Sequence, residues 1–195
     1  MALVKCIAAL FALTALPAGA EAAGPLKLAE ISARLYDLGR EDRDALVVAT
    51  AAKLRKEAGL SADLPLDWQA MLAEAETLAA GDAALLELIG DIRAKTAKGV
   101  ISGAIQHLSV LAAGASDTRP AMEFRGGEYA EVYVEAPPGV DLNLTVLDAG
   151  GHVVCTDADK SHIAYCGWTP ATDGEFILVI ENAGALPADY ALLTN

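Results

Sequence analysis

The sequence predicts an α+β protein in two parts: an α-helical region over residues 21–99, then an antiparallel β-sandwich or barrel over residues 100–195. Apolar residues recur at helical spacing between residues 24 and 113, with no period-two alternation. From Phe124 onward, short alternating runs are separated by turn residues, which is typical of half-buried strands. Gly99 marks the predicted boundary.

The first twenty residues have the order of a secretory signal peptide. Lys5 precedes the apolar run Cys6–Leu16, and small residues at Ala18 and Ala20 fit a cleavage site. We expect cleavage near Ala20 and a periplasmic or secreted product with no transmembrane span. The alternative is a buried N-terminal helix.

Four helices are predicted in the first part, grouped as two antiparallel hairpins. Asp67 and Asp82 stand directly before apolar runs, where a carboxylate caps the first turn of a helix. The glycines expected to end helices in the left-handed conformation are Gly39, Gly59, Gly81 and Gly99.

The two hairpins form a weak repeat of about forty positions, which pairs Leu38 with Leu78 and Gly59 with Gly99. This repeat fits either a tetratricopeptide-like solenoid or a plain alanine-rich bundle. The apolar faces of such short helices need a partner: each other, the sandwich, or another protein chain. A protein partner or a homo-oligomer through this region is therefore expected.

Strands are predicted over Ala130–Glu135 and Leu142–Leu147, and again towards the end of the chain. Turns rich in Gly, Pro and Asp lie between them, with no helical period in the intervening segments. Several short strands at this spacing favour an antiparallel sandwich or barrel.

Four ordered elements resemble the bacterial pre-peptidase C-terminal domain over roughly residues 105–195. They lie at Phe124–Ala130, Asp141–Gly151, Cys166–Gly174 and Tyr190–Asn195. The resemblance implies a jelly-roll-like β-sandwich appended to secreted proteins, often peptidases, and bound to calcium in some members. The resemblance also implies a first strand over His107–Ala112, in a segment whose residue pattern is itself ambiguous. Nothing upstream resembles a peptidase.

The net charge of −13 is concentrated in the second part. From Ser116 onward there are thirteen acidic and three basic residues, a net charge of −10. A surface this negative repels phosphate backbones, so nucleic-acid binding is not expected.

Cys155 and Cys166 remain after removal of the leader. In an oxidising compartment an even pair usually forms a disulfide, which we expect here instead of two free thiols or a zinc site. Trp168 follows closely, and it is expected in the core; the alternative is an exposed ring that stacks on a glycan.

No catalytic residues and no cofactor are predicted, apart from a calcium ion. Its candidate ligands are Asp141, Asn143, Asp157 and Asp159, since oxygen-rich side chains suit calcium. Asp159, Ser161 and His162 are the only neighbouring acid, hydroxyl and imidazole, but the chain has no nucleophile-elbow motif, and such groups are ordinarily a polar loop.

These observations favour an exported, non-catalytic binding or structural protein of the bacterial envelope or periplasm. Two alternatives remain open. One is a protein accessory to a secreted hydrolase, as a chaperone or an inhibitor. The other is a module that binds carbohydrate or matrix through the sandwich.

Overall fold

A computed structural model describes residues 23–60, 64–96 and 105–195, which form helices followed by strands, as predicted. The helices are α1 Pro25–Glu41, α2 Ala45–Ala58, α3 Trp68–Leu78 and α4 Ala83–Ala94. The strands are β1 Ile105–Leu111, β2 Ser116–Thr118, β3 Met122–Phe124, β4 Ala130–Glu135, β5 Leu142–Asp148, β6 Val153–Asp157, β7 Ile163–Trp168, β8 Gly174–Asn182 and β9 Ala188–Thr194. The predicted signal peptide over residues 1–20 and the predicted boundary near Gly99 lie outside the described residues.

Carboxylates begin three of the helices. Asp67 accepts a hydrogen bond from the backbone of α3 and Asp82 from the backbone of α4, which confirms both predicted caps. Asp44 does the same for α2 through the amides of Leu46 and Val47. Each carboxylate satisfies a backbone N–H group that the first turn leaves unpaired.

The prediction that Gly39 ends a helix is wrong, because α1 continues through it to Glu41. A Cβ at this position would lie 2.8 Å from Cγ2 of Val48, so the glycine is where α1 and α2 approach each other closely. The chain reverses just after α1, at Arg43, whose φ is 56°. Gly59 does cap α2 in the left-handed conformation, with a φ of 67°.

The strands form two antiparallel sheets that face each other, which confirms the predicted sandwich. One sheet has the order β1-β9-β4-β7, and the other has the order β2-β8-β5-β6, with β3 also pairing with β8. Apolar side chains from both sheets form one core between them; it includes Val132, Val134, Leu144, Leu178 and Ile180. None of the helices in the described part of the chain has the length and apolar character needed to cross a membrane.

Strand β4 is buried on both faces. Val132 and Val134 point into the sandwich, while Tyr133 belongs to a second core that also holds the helices. Ile163 and Leu193, from the neighbouring strands, join this second core. The molecule therefore has three layers. The helices pack on each other and on the first sheet, while Leu86 and Leu88 of α4 remain 40% exposed.

Candidate functional site

A charged pair lies between the helices and the first sheet. The Nη2 atom of Arg55, on α2, is 2.5 Å from Oε1 of Glu135, on β4, and the two side chains are 2% and 0% exposed. In addition, Nε of Arg55 donates a hydrogen bond to the Leu66 carbonyl, and Oε1 of Glu135 accepts one from the Leu66 amide. Burial opposes the charge on Arg55, but the Glu135 carboxylate outweighs it and raises the pKa of the guanidinium.

A tyrosine lies against this pair and stays protonated. Burial, followed by the charge of Glu135, raises the pKa of Tyr133 well above its usual value. A permanently charged arginine beside a neutral phenol offers no group that exchanges protons near neutral pH. The cluster therefore connects two layers of the fold and is not a candidate acid–base centre.

The neighbouring polar contact in this interface joins β7 to β4. The Tyr165 hydroxyl donates to Oε1 of Glu131 at 2.8 Å, and Nζ of Lys27 lies 4.3 Å from the centre of the Tyr165 ring. Burial is the largest of the effects that raise the pKa of Tyr165. These contacts attach the start of α1 to the sheet.

The polar loop of Asp159, Ser161 and His162 forms no nucleophile–base pair. Oγ of Ser161 donates to the carbonyl of Ile163 at 2.6 Å. The two ring nitrogens of His162 face other partners, the Ala136 carbonyl at 2.8 Å and the Asp37 carboxylate at 2.9 Å. The imidazole therefore fastens α1 to the sandwich and is not aimed at the serine.

Two of the four predicted calcium ligands hold a cation that the chain itself supplies. Nη1 of Arg34 lies 2.7 Å from Oδ2 of Asp159, and Nη2 lies 3.4 Å from Oδ2 of Asp157. Burial raises the pKa of Asp159, but its polar contacts with Ser161 and with the Arg34 guanidinium outweigh burial and lower that pKa.

The other two predicted ligands lie apart from this pair. Asp157 is opposite Leu144 in the β5–β6 ladder, so it shares the inner face of the sheet, whereas Asn143 is on the outer face. The Asn143 amide donates to Glu181 at 3.4 Å, and the Asp141 carbonyl accepts from the backbone of Ala183. Within residues 23–60, 64–96 and 105–195, no three His, Cys, Asp or Glu side chains are grouped as a metal site. Calcium binding stays a prediction.

The disulfide between Cys155 and Cys166 confirms the predicted pairing. The two Cα atoms are 5.9 Å apart, and the bond joins β6 of the second sheet to β7 of the first. Trp168, further along β7, is a core residue, as expected; its ring centre lies 4.9 Å from that of Phe124 and 5.3 Å from that of Phe176.

An open apolar surface lies along β1, at the edge of the first sheet. Among the described residues, β1 pairs only with β9, so its outer backbone groups lack strand partners. Leu108 is 52% exposed and Val110 is 68% exposed. They line a groove of about 420 Å³, here called the β1 groove, together with Leu64, Pro65, Pro137 and Tyr190.

The β1 groove can take an extended chain. A free strand edge supplies alternating backbone donors and acceptors, and apolar pockets beside it receive alternate side chains of an added strand. This strand was expected over His107–Ala112 from the resemblance to the pre-peptidase C-terminal domain, and no alternation marks it in the sequence. The free edge depends on the order of strands in the sheet, which no local pattern reveals.

No family model matches the chain, and no curated protein matches it. Among solved structures, the pre-peptidase C-terminal domain of a collagenase from Bacillus anthracis is 11% identical, with a TM-score of 0.38, over 47% of this chain and 88% of that one. PliG, a periplasmic inhibitor of g-type lysozyme from Aeromonas hydrophila, is 13% identical, with a TM-score of 0.36, over 47% and 84%. The Yersinia pseudotuberculosis-derived mitogen is 14% identical, with a TM-score of 0.35, over 49% and 86%.

The domain type named from the sequence is thus found among the structural matches, over about half the chain. Scores this low assign neither a family nor a function, and the resemblance to the pre-peptidase C-terminal domain stays a prediction.

Proposed function

We propose that the protein is a non-catalytic binding protein of the bacterial envelope or periplasm, which holds an extended segment of a partner protein along strand β1. The observation that carries this proposal is the exposure of Leu108 and Val110 beside a strand edge that is unpaired among the described residues. The partner segment would add a strand to the first sheet and place alternate apolar side chains in the β1 groove.

Within the part of the chain that the structure describes, strand β1 lacks the usual protection of a sheet edge. Edge strands that must stay free are commonly very short, or carry Lys or Pro, or are covered by a loop or helix. Strand β1 has seven residues, Ile105–Leu111, and none of them is Lys, Arg, Asp, Glu or Pro. An edge of this length and composition suits strand addition better than isolation in water.

The negative charge of the groove and of the chain indicates which kind of partner segment would bind. Asp189 also lines the β1 groove, and the chain carries a net charge of −13. An extended segment whose side chains on the groove face are apolar, with a Lys or Arg on that same face beside Asp189, complements both features. We therefore expect the β1 groove to bind a basic, extended segment of another protein.

The disulfide supports placement outside the cytoplasm. Bonds such as Cys155–Cys166 form and persist in oxidising compartments, and they are rare where thioredoxin and glutathione keep thiols reduced. The periplasm or the extracellular space is therefore part of the proposal. If the partner is a secreted hydrolase, this protein acts as its accessory protein.

The alternative of carbohydrate binding through Trp168 has no support, because the ring is buried and is not available to stack on a sugar.

Selection from a peptide library with the full chain as bait tests the proposal. We expect peptides with apolar residues at alternate positions and a Lys or Arg on the same face as these, and we expect them to lose binding to V110K, in which a charge enters the groove. V153K is the matched control, since Val153 is 62% exposed on β6 at the far side of the sandwich. Peptides that bind V110K and the parent equally would overturn the proposal. A concentration-dependent dimer broken by V110K would replace the foreign segment with a second copy of the chain.

A further inference from the structure

Two neighbouring cavities lie at the end of the first sheet where β4 begins and β9 ends. One, of about 560 Å³, is lined by residues 123–125 and by Glu128, Tyr129, Ala130 and Asn195. The other, of about 390 Å³, is lined by residues 123–125 and 173–175. Because the two cavities share residues 123–125, they lie side by side, and we call them together the Tyr129 cleft.

An accessible aromatic ring lines this cleft. Of the aromatic side chains that the structure describes, that of Tyr129 alone is mostly exposed, at 55%. It differs in this from Trp168, whose ring is buried in the sandwich. A single exposed apolar side chain is ordinary on a protein surface. The ring of Tyr129 is distinguished by the contacts that hold it in place.

The fold fixes Tyr129 at both ends. Its hydroxyl lies 3.2 Å from that of Tyr165, and because Tyr165 donates its own proton to Glu131, Tyr129 is the donor in this contact. The backbone carbonyl of Tyr129 accepts a hydrogen bond from Nδ2 of Asn195 at 2.8 Å. The hydroxyl also lies against Gly167 of β7, where a Cβ would overlap it, and a glycine within a strand often marks such a close approach. A ring fixed in this way loses little freedom when a ligand binds.

Two carboxylates of the cleft lie directly opposite each other. Glu123 on β3 is the ladder partner of Glu175 on β8, so both side chains project from the same face of the second sheet, and both residues are exposed. Like charges in this arrangement repel each other and lower the stability of the strand pair. Hydrogen-bond donors of a bound molecule would relieve this repulsion.

The cleft also offers a donor beside these acceptors. Nη1 of Arg125 lies 3.6 Å from Oε1 of Glu128, and the two side chains are 79% and 67% exposed. This distance is too long for a hydrogen bond, so the N–H groups of Arg125 and the oxygens of Glu128 remain available to a ligand. Donors and acceptors side by side match hydroxyl groups, because a hydroxyl both donates and accepts.

We propose that the Tyr129 cleft binds a neutral oligosaccharide. The Tyr129 ring packs on the apolar C–H face of one sugar unit, whose hydroxyls bond to Arg125 and Glu128. Hydroxyls of the next unit donate to Glu123 and Glu175 in the second cavity. Cavities of about 560 Å³ and 390 Å³ fall within the range of roughly 300–1,000 Å³ that is usual for small-molecule sites. The site is separate from the β1 groove and does not depend on the function proposed for that groove.

Calorimetric titration of the full chain with cellohexaose, maltohexaose and chitohexaose tests the proposal. We expect saturable binding of at least one of these sugars, with amide NMR shifts centred on residues 123–130 and 173–175. Because the ligand is uncharged, its affinity should change by less than about twofold between low and high salt. V110K, which alters the β1 groove, should bind the sugar as the parent does.

The Y129A variant removes the ring, so we expect the sugar to bind at least about tenfold more weakly. L186A is the matched control, since Leu186 is 65% exposed before β9, at the opposite end of that strand, and it should bind as the parent does. G167A keeps the tyrosine but places a methyl group where its hydroxyl lies, so it should weaken binding by at least about threefold.

The E175Q variant separates binding from stability. It weakens an acceptor for the sugar hydroxyls, so we expect binding to be about three- to tenfold weaker. Without ligand, E175Q should melt at the same temperature as the parent or higher, because the repulsion between Glu123 and Glu175 has been removed. The proposal is overturned if none of the three sugars binds, if Y129A binds as tightly as the parent, or if the affinity falls steeply with salt.

Discussion

The guanidinium of Arg55 lies 2.5 Å from the carboxylate of Glu135, and the sheet and helices exclude water from both. Removal of one partner leaves the other charge buried and uncompensated. We expect R55M to lower the free energy of unfolding by about 3–5 kcal/mol, measured by urea denaturation.

The double variant R55M/E135M is the control for this pair. It leaves no unpaired charge, so it should recover most of the stability that R55M loses. K53M, which removes an exposed ion pair with Glu57, should change stability little. If R55M is as stable as K53M, the pair does not hold the helices on the sheet.

Replacing either of two helical glycines by alanine should change the stability of the protein, in opposite directions at the two positions. A Cβ at Gly39 would lie 2.8 Å from the Val48 side chain and 2.9 Å from its backbone nitrogen, so α1 and α2 would have to separate. We expect G39A to destabilise the protein by about 1–3 kcal/mol. At Gly90, in α4, a Cβ meets nothing within 4 Å, so G90A should stabilise the protein by about 0.5–1 kcal/mol.

Thermal and urea unfolding of both variants checks this prediction. A stable G39A would contradict the close approach of α1 and α2. It would restore the interpretation of Gly39 as a residue that ends a helix.

Asp117 should contribute to the loss of stability in acid. A hydrogen bond from Tyr190 is the largest of the effects that lower its pKa, and Arg119 adds to it. The folded state therefore favours the carboxylate, and the unfolded chain binds a proton at higher pH. The contribution is fully present above about pH 4, the usual value of an unfolded aspartate, and is lost as pH falls through the lower folded pKa.

The D117N variant removes this titration. Its free energy of unfolding should depend less steeply on pH than that of the parent below about pH 4. Y190F should show a smaller change in the same direction, since it removes the hydroxyl donor to Asp117 but leaves Arg119 in place. Parallel curves for D117N and the parent would contradict the shift at Asp117.

Arg34 competes with any calcium ion for Asp157 and Asp159. We expect the melting temperature of the parent to be the same with calcium and with a chelator. R34Q, which frees both carboxylates, should acquire a rise in melting temperature when calcium is added. A parent stabilised by calcium would show that the ion displaces Arg34 and would support the ligand set predicted from the sequence.

The sequence predicted most helices and strands well, because helix caps and strand alternation are set by residues that are neighbours in the sequence. Asp67 and Asp82 cap helices whose apolar period begins directly after them, and the alternation in β4 and β5 reflects one face of a sheet. The pairing of Cys155 with Cys166 followed from their number and compartment.

The interface and the candidate site depend on contacts that are distant in sequence. The alternation of β4 predicted a half-buried strand, but helices cover its second face, and Arg55, eighty residues away, neutralises Glu135 there. Likewise, β1 was expected from the resemblance alone, because the pattern of its residues is ambiguous. Its free edge follows from its pairing with β9, at the opposite end of the sandwich sequence.

Hydrogen exchange of the full chain with a selected basic peptide tests the central proposal most directly. If the peptide adds a strand to the first sheet, amides within residues 105–111 should gain protection when it binds, while those of β6 stay unchanged. Protection that appears elsewhere, with β1 unaffected, would contradict binding along this edge.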